Sequence, residues 1–197
     1  MKIGHYMESD FREDIRQALE VLKKGGIILY PTDTIWGIGC DATNAEAVAR
    51  VSELKKRESS RSMLVLMENP NLLNSYIEEV PEVAWDLIDV ADKPLTIVYP
   101  GAKNLAKNLI AEDGSIGIRI TEEPFTQQLI QRFHKPLVST SANISGEPSP
   151  AFFDEVAPEI IEGVDYVVQY RQDERMPSSP SSVIKLGVGG EVQILRK

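Results

Sequence analysis

The sequence predicts an α/β protein in which helices cover a twisted mixed sheet. Strand-like apolar runs and helix-period segments interleave along the whole chain, the order expected when helices pack on a sheet. Several strand-to-strand connections are too short for a crossover helix, which predicts antiparallel as well as parallel pairing. At 197 residues the chain suits a single domain, 1–197, able to bury a sizeable core.

The elements follow in chain order. Residues 10–24, DFREDIRQALEVLKK, place Phe11, Ile15, Ala18, Leu19 and Leu22 three or four apart; Ser9 or Asp10 can cap this helix and Gly25-Gly26 can stop it. GIILYP, 26–31, is a buried-type strand ended by Pro31. Residues 44–56 form a second helix, capped by Asn44, with Val48, Val51 and Leu54 on one face. Further strands are predicted at 62–67, 94–100, 116–121, 136–140, 164–169, 182–186 and 191–195, and further helices at 80–91, 124–133 and 151–162. GVGG, 187–190, lies between two short strands with no helix after it. It reads as a hairpin turn and not as a dinucleotide loop.

Composition narrows the function classes. No apolar run approaches the ~20 residues of a membrane-spanning helix, and the start, MKIGHYMESDF, lacks the apolar stretch of a secretory signal. The single cysteine, Cys40, excludes an internal disulfide framework and an all-cysteine metal site. A cytoplasmic protein with no membrane partner is expected. His5 and His134 are the only histidines and no GxSxG surrounds a serine, so hydrolase triads and His/Cys metal sites have little support. His134, at a helix end, is expected to act as a cap or a surface group. The 30 acidic residues outnumber the 21 basic ones for a net charge of −9, which repels phosphodiester backbones. Against that background KKRESSR, 55–61, stands out with four basic groups and one acidic, a net of +3.

Three segments carry candidate chemistry. PTDTIWGIGCDA, 31–42, follows a strand end and offers Thr32, Asp33 and Thr34, with Gly37 and Gly39 allowing close backbone approach. It reads either as a ligand loop or as a polar turn with Trp36 in the core. KKRESSR reads either as a phosphate-binding helix end or as a solvated terminus favoured by the macrodipole. STSANISG, 139–146, carries hydroxyls and an amide at a strand's C-terminal end, suited to a small polar substrate and a nucleotide or to a self-satisfied turn.

In this order, PTDTIWGIGCDA, the K-x-R pair Lys55 and Arg57, and the S-x-N pair Ser141 and Asn143 resemble the YrdC-like family of threonylcarbamoyl-adenylate synthases, from about residue 11 to 196. The resemblance implies a concave basic cleft on the sheet. It implies formation of threonylcarbamoyl-AMP and pyrophosphate from L-threonine, bicarbonate and ATP with Mg²⁺, and no protein-held metal. A downstream threonylcarbamoyl transferase complex would then modify the tRNA adenosine beside the anticodon. By the same resemblance Lys55 and Arg57 are catalytic and, with Arg61, Ser115, Ser141, Asn143 and Arg196, bind ATP. Thr34, Arg119, Thr140 and Ser181 bind threonine. Glu58 and Ser62 stand where the family commonly has prolines, and Arg61 where lysine is more usual. The alternative is a YrdC-like protein that binds tRNA or double-stranded RNA without synthase activity.

Overall fold

The computed structural model describes residues 11–57, 63–176 and 180–197. Among them nine strands form one mixed sheet: β1 (Ile28–Tyr30), β2 (Gly37–Gly39), β3 (Leu64–Met67), β4 (Leu95–Tyr99), β5 (Ile116–Ile120), β6 (Leu137–Ser141), β7 (Tyr166–Val167), β8 (Ser182–Leu186) and β9 (Val192–Arg196). Their order is β7-β1-β2-β6-β3-β5-β4-β8-β9. The β1/β7, β3/β5 and β4/β8 pairs are parallel and the others antiparallel.

Period-two alternation gives this sheet two chemically different faces. On one face Val65, Ile97, Ile116, Ile118 and Val138 join the larger core cluster under α2 (Ala45–Leu54), α3 (Leu73–Tyr76) and α4 (Glu82–Asp89). On the other, Ile28, Tyr30, Leu66 and Leu137 pack against α1 (Arg12–Lys23) and α5 (Pro124–Phe133). Phe11 meets Phe125 edge-on at 5.9 Å and Tyr170 at 4.9 Å, closing that second layer. Register places Leu66, Arg119, Thr96 and Val183 opposite one another, and Leu64 opposite Ser139. Arg119, Thr96 and Ser139 therefore share the α1/α5 face.

Helix ends follow ordinary physical rules. Asn44 caps α2, its Oδ1 accepting from the N–H groups of Glu46 at 3.0 Å and Ala47 at 3.2 Å. Gly25, at φ +76°, follows α1 as the stop, where its N–H bonds the Leu22 carbonyl at 3.0 Å. The candidate caps Ser9 and Asp10 lie outside the described residues. His134 ends α5 in the left-handed region at φ 61°. Buried Asp14 accepts from the Tyr166 hydroxyl and from the N–H groups of Gln169 and Tyr170, tying α1 to the segment after β7.

Four differences from the sequence reading have local causes. The helix expected over 151–162 is a 3₁₀ turn, Phe153–Glu155, followed by α6 (Pro158–Gly163). Proline lacks an N–H and clashes inside a helix, so Pro158 starts a new one. The strand expected over 164–169 pairs only over Tyr166–Val167. A 3₁₀ turn, Pro70–Leu72, and α3 occupy a stretch given no element. Strand β2 was read as loop because two of its three residues are glycine, yet the sheet requires them. A Cβ on Gly39 would sit 2.6 Å from Tyr30 Cε1 and 2.8 Å from the Val138 carbonyl oxygen. Gly39→Ala is expected to destabilise the fold by about 1–3 kcal/mol, the cost of overpacking against backbone. Urea denaturation with an unchanged m-value would show it.

Candidate functional site

The uncovered part of the α1/α5 face is the floor of an open cleft of about 200 Å³. Leu64, Arg119 and Ser139 rise from its strands, and Thr34, Trp36, Arg57, Thr140, Ser141, Ser149, Ser181 and Arg196 are among the other lining residues. Strands β4, β8 and β9 meet at Ser181. Its hydroxyl lies 2.8 Å from Thr96 Oγ1, and Arg196 Nε donates to its carbonyl at 2.8 Å. In the loop after β1, Thr32 Oγ1 accepts from the Thr34 N–H at 3.0 Å and donates to the Ile35 carbonyl at 2.8 Å. That local turn presents Thr34, while Trp36 packs on Phe153 at 4.9 Å. The loop is thus both a polar turn with a core tryptophan and a wall of the cleft.

Arg119 is the most deeply placed cation on the floor, 3% exposed. Its Nη2 lies 2.9 Å from Asp33 Oδ1. Asp33 is itself held by the backbone N–H of Glu122 and by the Thr121 hydroxyl, at the C-terminal end of β5. Burial pushes the Arg119 guanidinium below its ordinary value, opposed by Asp33, and pushes the Asp33 carboxyl up, opposed by Arg119. Arg119 Nε is buried without a hydrogen-bond partner among the described residues. A buried donor of this kind costs free energy unless an acceptor arrives.

The K-x-R pair is splayed by the end of α2. Lys56 sits at φ 51°, its N–H bonds the Glu53 carbonyl, and the Arg57 N–H bonds the Ser52 carbonyl at 2.9 Å. These two bonds make a Schellman motif with lysine in the position glycine usually takes. The reversal sends Lys56 outward to Glu159, Arg57 into the cleft and Lys55 inward. Lys55 is 1% exposed. Its Nζ donates to the carbonyl of Ser141, to the carbonyl of Asn143 at 2.6 Å and to Asn143 Oδ1 at 3.4 Å. Its own carbonyl accepts from the Ser145 N–H at 2.9 Å. Desolvation, and then the nearby Arg57 charge, lowers the Lys55 ammonium to about 8.

Of the residues named from the sequence, Thr34, Arg57, Arg119, Thr140, Ser141, Ser181 and Arg196 line one cleft. Lys55 and Asn143 stand behind its wall. Lys55, expected to face phosphates, has its three protons directed at carbonyl and amide oxygens, because the Schellman turn points it into the 141–145 loop. Asn143 braces the same loop, donating to the carbonyls of Ile144 at 3.0 Å and Glu147 at 2.6 Å. Ser115 precedes β5 and donates to Asp113 Oδ1 at 2.6 Å. Arg61 lies outside the described residues, as do Glu58 and Ser62. The sequence reading missed Ser149 and Leu64, which lack any local signature, and the part Asp33 plays with Arg119. The described lining includes no carboxylate, and no group of three His, Cys, Asp or Glu that could hold a metal occurs among the described residues. The lining suits an anion that also carries hydroxyl or amine groups.

Replacing Lys55 by Met leaves the Ser141 and Asn143 carbonyls without their donor. The variant is expected to lose about 1–3 kcal/mol in urea denaturation. A second readout follows from linkage. Lys55 titrates near 8 in the fold and near its ordinary 10.5 when unfolded, so between these values the unfolded chain holds the extra proton. Wild-type stability minus that of Lys55→Met should be flat below pH 8 and rise with pH from there to about 10.5.

Comparison with known proteins bears on the family and the fold. Residues 20–197 match the Sua5/YciO/YrdC family model, described as "Telomere recombination". The chain is 34% identical over 182 residues to the threonylcarbamoyl-AMP synthase of Pseudoalteromonas translucida (strain TAC 125), covering 90% of this chain and 95% of that one. The crystal structure of P. abyssi Sua5 complexed with L-threonine matches with a TM-score of 0.78 at 26% identity over 88% of this chain, which spans 51% of the Sua5 chain. E. coli YciO shares the fold, with a TM-score of 0.81 at 24% identity, covering 94% of this chain and 89% of that one. A polar cleft on one face of a mixed nine-stranded sheet, and a family match over nearly the whole chain, lead to one conclusion: the chain belongs to the Sua5/YciO/YrdC family.

Proposed function

We propose that this chain is a threonylcarbamoyl-AMP synthase, a nucleotidyltransferase acting on L-threonine, bicarbonate and ATP. The observation that carries the reading is the buried, unpartnered Nε of Arg119 on the floor of a cleft whose described lining has three guanidiniums and no carboxylate. An amino-acid carboxylate on Arg119 supplies the missing acceptor. The hydroxyls of Thr34, Thr140 and Ser181 are then placed for its amine and side-chain hydroxyl. Support from relatives comes from the synthase of P. translucida and the threonine complex of Sua5.

Bicarbonate and the threonine amine form a carbamate with loss of water. A carbamate oxygen attacks the α-phosphorus of ATP, the bond to the bridging oxygen breaks, and pyrophosphate leaves. Magnesium enters as part of the Mg-ATP substrate and neutralises charge on the departing phosphates. The protein's work is positioning and electrostatics. Arg57 and Arg196 face the phosphates, and Ser141 contacts the nucleotide. Lys55 and Asn143 hold the loop that carries Ser141. The product passes to a separate threonylcarbamoyl transferase complex acting on tRNA in the cytoplasm. The RNA-binding alternative has less support, because the chain is net −9 and the three guanidiniums converge on a small cavity.

Pyrophosphate release should require threonine, bicarbonate and Mg-ATP together. Turnover without threonine, or none with all substrates present, would overturn the reading. The threonine carboxylate does not react, so Arg119 contributes similarly to ground and transition states. Arg119→Ala is expected to raise the threonine KM by about 10–100-fold, the worth of hydrogen bonds to a charged group, with a smaller change in kcat. Arg119→Lys keeps the charge but loses the fork, and should recover only part of the affinity.

A further inference from the structure

A second cavity, of about 130 Å³, lies on the opposite face of the sheet beneath the end of α4. Its floor is apolar, built from Ile97 and Tyr99 of β4 and Ile118 of β5, with Ile88 of α4 as a wall. Its mouth carries the carboxylates of Asp33, Asp92 and Glu122 against the single ammonium of Lys93. Tyr99, 1% exposed, lines the cavity. Burial raises its phenol. Tyr99 stands four residues along β4 from Leu95, which also lines the cavity, about 13 Å of strand.

Asp33 joins the two cavities. It lines this one, and its carboxylate pairs with Arg119, which lines the cleft on the other face. We infer that this second cavity binds an aliphatic ammonium ion with a hydroxyl at its far end, and that the bound cation strengthens carboxylate binding at Arg119. The isoleucine floor takes the methylene chain, the acidic mouth takes the ammonium, and Tyr99 takes the hydroxyl. Charges then alternate across the sheet: ammonium, Asp33, Arg119, carboxylate. A cation on the Asp33 side draws on that carboxylate and leaves more of the Arg119 charge for an anion. Linkage makes the effect reciprocal. The coupling rests on the assignment of a carboxylate substrate to Arg119; the cavity's own occupancy does not.

The test titrates the full chain with 5-aminopentan-1-ol, pentane-1,5-diol and 5-hydroxypentanoate, following backbone amide shifts on β4, β5 and α4. The amino alcohol should bind at least ~10-fold more tightly than the diol, as charge-assisted pairing requires, and the acid should not bind. Asp92→Asn and Glu122→Gln, both on exposed residues, should each weaken it about 2–5-fold. Ala91→Phe, at the mouth, should block it while leaving the folded spectrum intact. Equal binding of the diol, no binding of the amino alcohol, or undiminished binding to Ala91→Phe would overturn the proposal. With the amino alcohol saturating, the threonine dissociation constant should fall about 5-fold, and an unchanged constant would also overturn it. If threonine fails to bind at all, the synthase reading falls, and the titrations with the amino alcohol alone still decide whether the cavity takes a cation.

Discussion

The Arg119–Asp33 pair is the interaction on which the arrangement of the cleft depends. Placing a guanidinium on the floor of a sheet is costly unless an opposite charge and hydrogen bonds replace the lost water. Asp33 supplies that charge from the loop after β1, and Thr121 and Glu122 hold Asp33 at the end of β5. The pair therefore ties the loop to the central strands. It also leaves Arg119 Nε buried without a hydrogen-bond partner among the described residues.

Lys55 meets the same difficulty by another route. Its ammonium donates to carbonyl and amide oxygens of the 141–145 loop, so dipoles and not a carboxylate solvate it. The ammonium keeps its net charge beside Arg57, which contributes to its lowered proton affinity. A carboxylate there would offset the charges of Lys55 and the neighbouring Arg57. Carbonyl oxygens solvate the charge without cancelling it, and in doing so shape the loop that presents Ser141. An acidic chain thus brings three guanidiniums into one cleft whose described lining holds no carboxylate.

Much of this was legible in the sequence because it rests on short-range rules. Alternation in β4 and β5, LTIVY and IGIRI, separates the apolar core face from the face carrying Thr96 and Arg119. The stop of α1 at Gly25 and the cap of α2 at Asn44 needed only their own neighbours. What stayed hidden depended on partners far along the chain. The shape of β2 is set by Tyr30 and Val138 pressing on Gly39. The direction of Lys55 is set by a turn that places lysine at positive φ, a position sequence patterns assign to glycine. Ser149 reaches the cleft through loop geometry that no local pattern encodes. Residues two apart at a helix end need not point the same way: here Lys55 turns inward while Arg57 lines the cleft.

The C-terminal strands show how little sequence separates structure from chemistry in this fold. Among the described residues, strand β9 is an edge strand exposed along its whole length, paired only with β8 and with a bulge between Val183 and Ile184. Such an edge gains little from burial, so side-chain ties matter more to it. Arg196 provides one, bonding the carbonyl and hydroxyl of Ser181, which in turn meets Thr96. Docking of the last strand and placement of a guanidinium in the cleft are consequently one event.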